Sequence, residues 1–300
     1  MVGPTAAGKS SLAMRLANQI GGEIVSVDSA AIYRGMDIGT DKPTVEDRAL
    51  VRHHLLDIND PGEIPTVAQF QEAGRAAVEG IFSRGKVPLL VGGSGLYFRA
   101  IVDPLEFPPT DAEVRSRLEA EAYEFGGYEM FRRLESLDPE AAERMHPANV
   151  RRTIRALEVI DITGRPFSSY RVAWDDRESV YDLRAAGLTL PLEELSRRID
   201  DRVDSLIARG WVEEVVALKA AGVQFSTTSL QALGYAQILD HLDGRLTLGQ
   251  AVEETKQRTR KFARRQLRWF RADPRINWFE DPDAAAEYLT NDKVDFQIDD

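Results

Sequence analysis

Apolar residues recur along this chain with two periods, which divide it into stretches of different architecture. Ser11-Leu12-Ala13-Met14-Arg15-Leu16-Ala17 has helical spacing and stops near Gly21-Gly22. Glu23 to Asp28 is a short apolar run ending on a carboxylate, and His53 to Asp57 is a second such run. Thr66 to Arg84 predicts an amphipathic helix with Val67, Phe70, Ala73, Ala77, Ile81 and Phe82 on its apolar face. Lys86 to Gly93 is a strand that runs into a Gly-Gly turn. Apolar strands alternating with helices predict a parallel α/β sheet. Ligands sit at the carboxyl ends of the strands in such sheets. That rule puts Ser10, Asp28 and Ser94 on one rim.

The period changes after Pro104. Asp111–Phe125, Tyr128–Leu137, Pro139–Met145 and Asn149–Thr163 all read as helices, the last with Asn149 as N-cap and Gly164 as its stop. Leu183 to Leu190 returns to a strand. Leu192–Arg209, Val212–Ala221, Ser229–Leu242 and Thr247–Arg271 are helical, and the tail from Ile276 to Asp300 is less regular. The expected organisation is a discontinuous α/β core (1–108 with 180–275), a helical insertion (109–179) and a C-terminal tail (276–300).

Composition narrows the class. The 300 residues include 43% hydrophobic and 29% charged positions and no cysteine, which excludes disulfides and thiolate chemistry. No apolar run approaches the roughly 18 residues of a membrane span. No signal peptide precedes the glycine-rich start, so a cytoplasmic protein is expected, as a monomer. The net charge of −11 argues against general polyanion binding, but it conceals an asymmetry. Lys256 to Arg271 holds eight basic residues and no acidic one, and removing those eight charges from −11 leaves −19 on the rest. A basic strip on an acidic body is a nucleic-acid signal. Lys256, Arg260, Arg264 and Arg268 form one stripe of it; Phe262, Ala263, Gln266, Leu267 and Phe270 form another. Trp269 fits either core packing or base stacking.

Gly3-Pro4-Thr5-Ala6-Ala7-Gly8-Lys9-Ser10 is a phosphate-binding loop of the form G-x-x-x-x-G-K-[ST]. Its backbone N–H groups surround phosphate oxygens, Lys9 adds charge, and Ser10 offers a hydroxyl to Mg²⁺. Asp28 could serve as a general base or Mg²⁺ partner, or equally as a helix cap or loop acceptor. Asp57 reads either as a Walker B carboxylate or as a turn residue. Adjacent strand residues point to opposite faces, so His53-His54 favours structure over a shared metal. Gly92-Gly93-Ser94-Gly95 could contact a phosphate or a base, or be only a turn. Arg151 and Arg155, with Arg152 beside them, could bind nucleic acid or pair with Glu158 and Asp161. In Arg198–Asp204, surface ion pairs are the usual outcome, yet one Arg could reach a diphosphate.

Taken together, these stretches resemble the tRNA dimethylallyltransferase (tRNA isopentenyltransferase, IPP transferase) family of bacterial type. The residues that match are the phosphate loop, Asp28-Ser29-Ala30, Tyr33 through Pro43, His53 through Asp57, Gly92 through Tyr97, Asn149 through Val159, Arg202-Val203-Asp204, Gly234-Tyr235 and Arg265 through Trp269. The resemblance implies a P-loop NTPase-like core and transfer of a dimethylallyl group from dimethylallyl diphosphate to N6 of adenosine 37 in tRNA. It makes Asp28 the base, with Arg202 and Ser94 acting on the leaving diphosphate. By the same resemblance Gly3, Pro4, Thr5, Ala6, Ala7, Gly8, Lys9 and Ser10 would hold that diphosphate, with Ser10 on Mg²⁺. The implied tRNA contacts, which grip the anticodon stem-loop between core and insertion, fall into three groups. Asp28, Ser29, Ala30, Ala31 and Ser94 come from the strand-end segments of the core. Arg115, Arg151, Arg152, Thr153, Ile154 and Arg155 belong to the insertion. Gln231, Gly234, Tyr235, Arg264, Arg265, Arg268 and Arg271 complete the set. A hydrophobic strand should precede the loop in this family; only Met1 and Val2 stand there, which predicts a start placed late or a shortened sequence. The rival readings are an isopentenyltransferase of free adenine nucleotides, a small-molecule kinase, and a non-catalytic RNA-binding NTPase.

Overall fold

The computed structural model describes residues 1–171 and 177–291, so the expected insertion (through 172–176) and tail (through 292–300) lie partly outside the described residues. The chain forms two compact units, Met1–Val102 together with the chain from Tyr181 onward, and Asp103–Val180.

The first unit begins with α1 (Lys9–Ile20), β1 (Glu23–Ser26), α2 (Val45–Leu50), β2 (His53–His54), α3 (Val67–Phe82), β3 (Pro88–Val91) and α4 (Gly95–Val102). β1 lies between β2 and β3, parallel to both, with Ile24 opposite His53 and Glu23 opposite Pro88. Val2 forms parallel bridges to Gly92 on one side and Gly187 on the other. Its N–H donates to the Ala186 carbonyl at 2.9 Å, and its carbonyl accepts from Leu188 at 3.0 Å. Met1 and Val2 therefore stand in the place of the expected first strand, and through Val2 the sheet continues beyond β3. The Met1 ammonium donates to the Leu90 carbonyl at 2.7 Å. Burial, then the Lys9 charge, lowers it to about 5.

The second unit holds α5 (Ala112–Phe125), α6 (Gly127–Leu137), α7 (Pro139–Glu143) and α8 (Val150–Thr163) around Leu118, Met130, Leu134, Ile154 and Leu157. Asn149 caps α8 by accepting from the Arg152 N–H, and Gly164 ends it in the left-handed conformation.

The first unit resumes with β4 (Ala185–Leu188), α9 (Leu192–Ala208), α10 (Trp211–Ala220), α11 (Tyr235–Leu242), α12 (Leu248–Arg271), β5 (Ile276–Phe279) and α13 (Pro282–Thr290). β4 pairs with β5 in parallel, so the order across the unit is β2-β1-β3-Val2-β4-β5. The regular β5 and α13 correct the expectation of an irregular tail. A parallel edge strand is recruited by distant backbone, which leaves no local signature; Asp281 before Pro282, by contrast, is a readable helix start.

Three further expectations differ from the structure. Ser229–Leu242 is broken, with a 3₁₀ turn at Ser229–Gln231 and α11 beginning only at Tyr235. The His53–Asp57 run pairs over two residues only, because Leu55 and Asp57 both take positive φ, 64° and 57°. On α3 the buried face is Phe70, Gly74, Val78 and Ile81, whereas Phe82 is exposed. Gly74 is required there because a Cβ would lie 2.6 Å from the Ile101 side chain of α4. Burial of large apolar side chains such as Phe98 and Phe270 supplies about 1.5–3 kcal/mol each.

Candidate active site

Three chain segments meet at the carboxyl ends of adjacent parallel strands. The phosphate loop follows Val2, Asp28 follows β1, and Gly92-Gly93-Ser94 follows β3. β1 and β3 are joined beyond their ends: the Val27 N–H donates to the Val91 carbonyl at 2.9 Å, and the Ser94 N–H to the Val27 carbonyl at 3.1 Å. Gly92 has no room for a side chain, since a Cβ would approach the Val27 carbonyl oxygen to 2.4 Å. Asp28 and Ser94 are thus held by neighbouring backbone, and both remain partly open to solvent.

The loop adopts the conformation its glycines permit, with Gly8 at φ 90°, and Ala6 also takes a left-handed φ of 63°. Gly3 and Pro4 are buried, and Ser10 stands exposed at the start of α1. Lys9 is buried and its ammonium donates to the Pro4 carbonyl at 2.6 Å. Burial above all, and then the Arg202 guanidinium, lowers that ammonium to about 7, with Asp28 pulling the other way.

Arg202 comes from α9, whose inner face is Leu195, Ile199, Val203 and Leu206. Its guanidinium donates to the Thr5 hydroxyl of the loop. It also pairs with Asp41 at 3.2 Å, and Asp41 is held in turn by Arg209 at 2.6 Å. Arg197 and Arg198 on the same helix pair instead with Glu194. Of the arginines in this charge-alternating stretch, the structure directs Arg202 to the phosphate loop.

Asp28 accepts the Ala30 N–H at 2.8 Å and the Ala31 N–H at 3.4 Å, both through Oδ1. It is therefore a loop acceptor, and that role uses one carboxylate oxygen and leaves Oδ2 available. Asp57 is the turn residue of its two readings: it binds Lys42 at 2.5 Å and Arg48 at 2.7 Å. His54 bonds Glu23 at 2.7 Å and His53 the Val51 carbonyl at 2.7 Å. Burial would raise the Glu23 carboxyl, but Arg84, His54 and Lys86 outweigh it and hold it at about 2.

Several of the implied tRNA contacts are buried in this structure. The side chains of Ala31, Thr153, Ile154 and Tyr235 lie in the interior, as does Gly234. Ile154 packs in the core of the helical unit, and Thr153 donates to the Asn149 carbonyl. The Tyr235 hydroxyl donates to Glu214 at 2.7 Å. Gly234 makes room for Trp211, whose ring a Cβ would meet at 1.9 Å. Arg115 and Arg155 are engaged with the buried Glu158 at 2.6 and 2.8 Å. Burial would raise the Glu158 carboxyl, but those two guanidinium partners lower it. Arg151, Arg152, Ser29 and Gln231 are exposed, and Ala30 is half-buried.

The basic strip on α12 divides in two. Lys256 pairs with Asp204 at 2.7 Å, and Arg260 pairs with Asp200, so α9 neutralises its first turns. Lys261, Arg264 and Arg268 are exposed and have no acidic partner among the described residues. Arg265 and Arg271 are exposed too and lie over the rings of Phe262 and Trp278. Trp269 is 36% exposed and packs so closely on Gly95 that a Cβ there would lie 2.1 Å from its ring. Among the described residues no three His, Cys, Asp or Glu side chains form a metal cage.

Sequence reasoning did not single out Asp41, Glu214 or the individual role of Gln266. Glu214 accepts the Asp37 and Ile38 N–H groups at 2.8 and 2.6 Å and so shapes the polar loop after Asp28. Only the glycines at 39 and 234, which sandwich Trp211, hinted at that packing.

The IPP transferase family pattern matches residues 31–273. A tRNA dimethylallyltransferase of Kocuria rhizophila is 49% identical over 280 residues, covering 93% of this chain and 88% of that protein. One from Streptomyces coelicolor is 50% identical over 278 residues, with coverage of 93% and 88%. The crystal structure of the full-length tRNA isopentenylpyrophosphate transferase from Bacillus halodurans aligns with a TM-score of 0.66 at 41% identity, covering 93% of this chain and 88% of that one. A eukaryotic dimethylallyltransferase acting on tRNA aligns with a TM-score of 0.78 at 28% identity, covering 90% and 68%. With this pattern, these identities and a P-loop-like α/β core, the chain belongs to the IPP transferase family.

Proposed function

We propose that this protein transfers the dimethylallyl group of dimethylallyl diphosphate to N6 of adenosine 37 in tRNA, releasing diphosphate. The observation that carries this reading is the meeting of Lys9, Arg202 and Thr5 at one loop, with the Asp28 carboxylate at the end of β1 acting on the Lys9 ammonium. The relatives named above support the choice of substrates.

The N6 amine attacks C1 of the donor, the C1–O bond breaks, and the electron pair leaves with diphosphate. Asp28 orients the amine and accepts its proton through the oxygen that the Ala30 turn does not use. The loop N–H groups, Lys9 and Arg202 stabilise the negative charge that builds on the leaving group, and Ser94 adds a hydrogen bond. The Ser10 hydroxyl, exposed at the start of α1, would hold Mg²⁺, which takes few protein ligands and keeps water and substrate phosphates. Bound there, Mg²⁺ would neutralise diphosphate charge. The target base must leave its stack to reach Asp28. Arg264, Arg265, Arg268 and Arg271 provide phosphate contacts, and Arg151 and Arg152 do so from the helical unit. The protein is expected to act as a cytoplasmic monomer, a state that light scattering reads directly.

The test supplies Mg²⁺, labelled dimethylallyl diphosphate and either unmodified tRNA or AMP. Label in tRNA supports the proposal; label in AMP but not tRNA overturns it. A pH dependence follows from Lys9. Diphosphate favours the charged ammonium, whereas the free protein holds it at about 7. Donor affinity should therefore fall as pH rises above that value, by up to about tenfold per unit, because binding must take up a proton. Calorimetry in buffers of different ionisation enthalpy measures the uptake, which Lys9→Met should remove.

A further inference from the structure

In its C-terminal half the inner face of α12 is Ala263, Gln266, Leu267 and Phe270. Gln266 is the polar member of that face, and it is 6% exposed. Its Oε1 accepts the Thr5 N–H at 2.9 Å, and its Nε2 donates to the Gly93 carbonyl at 2.9 Å. The Thr5 N–H can only donate and the Gly93 carbonyl oxygen can only accept, so no other orientation of the amide satisfies both. Methionine has the length without the hydrogen bonds. Gly93 is part of the same device: a Cβ there would lie 2.1 Å from Nε2.

We propose that Gln266 is a positioning residue for the transfer reaction, locking the phosphate loop to the Gly93–Ser94 turn. This rests on the prenyl-transfer reading and deepens it. Thr5 is gripped twice, by Gln266 at its backbone and by Arg202 at its hydroxyl. Ser94 follows Gly93 directly. One amide therefore ties together the two walls that meet the diphosphate, in addition to the backbone bridge between Val2 and Gly92. It does so from the helix whose outer face carries Arg264, Arg265 and Arg268.

Loss of the amide acts on the donor side of the reaction. Displacement of a positioned group by about 1 Å costs on the order of 10²-fold in rate. Gln266→Met should weaken Mg²⁺–pyrophosphate binding about tenfold or more and raise KM for dimethylallyl diphosphate similarly. Its melting profile should stay cooperative and its tRNA Kd within about twofold. Gly93→Ala strikes the same contact from the other side, so adding it to Gln266→Met should cost much less than the sum of the two single effects. Unchanged pyrophosphate binding in folded Gln266→Met overturns the proposal, as does a parallel loss of tRNA affinity or strict additivity with Gly93→Ala. A wild-type chain that binds pyrophosphate but makes no prenylated tRNA overturns the transferase reading instead, and the binding ratio still decides the role of Gln266.

Discussion

Replacing Asp28 with asparagine should lower kcat for prenyl transfer by about 10²–10⁴-fold, the range that general bases supply. Asparagine keeps an oxygen to accept the Ala30 N–H, now at 2.8 Å, so the turn after β1 survives. What it lacks is a second oxygen able to take a proton from N6. Single-turnover transfer and tRNA binding, measured on the same preparation, separate the two functions of this side chain. Retained binding with lost turnover identifies the base. If binding and melting temperature fall together with the rate, Asp28 is only the loop acceptor and the proton goes elsewhere.

The second large effect concerns the outer face of α12. Reversing both Arg264 and Arg268 to glutamate should weaken tRNA binding and shrink the slope of log K against log salt by about two, one for each lost phosphate contact. These two are chosen because neither has an acidic partner among the described residues, whereas Lys256 and Arg260 are neutralised by Asp204 and Asp200. Reversal at Lys256 or Arg260 would mainly break packing between α9 and α12. A double variant with an unchanged salt slope would show that Arg264 and Arg268 form a solvated face.

The contrast between those two halves of one helix shows what sequence reading can reach. The strip from Lys256 to Arg271 is visible as composition, and its inner stripe as period, because both are properties of neighbouring residues on one helix. Which cations remain available depends on the acids of α9, some 50 to 60 residues away in the chain. The insertion repeats the lesson. Arg151 and Arg155 share a helix face, yet Arg155 is drawn onto the buried Glu158 and the carbonyls of Pro108 and Pro109.

The phosphate loop, the Asp28 strand end, the Gly92–Ser94 turn, the caps of α8 and the basic strip were determined by the sequence itself. Each depends on local backbone conformation or on the periodicity of one element. Three matters were decided only by tertiary structure. Val2 completes the sheet between β3 and β4 through backbone hydrogen bonds that any residue could make. Arg202, rather than Arg197 or Arg198, reaches the loop because α9 packs with that side toward Thr5 and Asp41. Gln266, which the periodicity assigned only to an apolar stripe, is a polar fastener because Thr5 and Gly93 come within reach from 261 and 173 residues away. A side chain's partner across such separations is set by how whole elements pack, and no spacing along the chain encodes it.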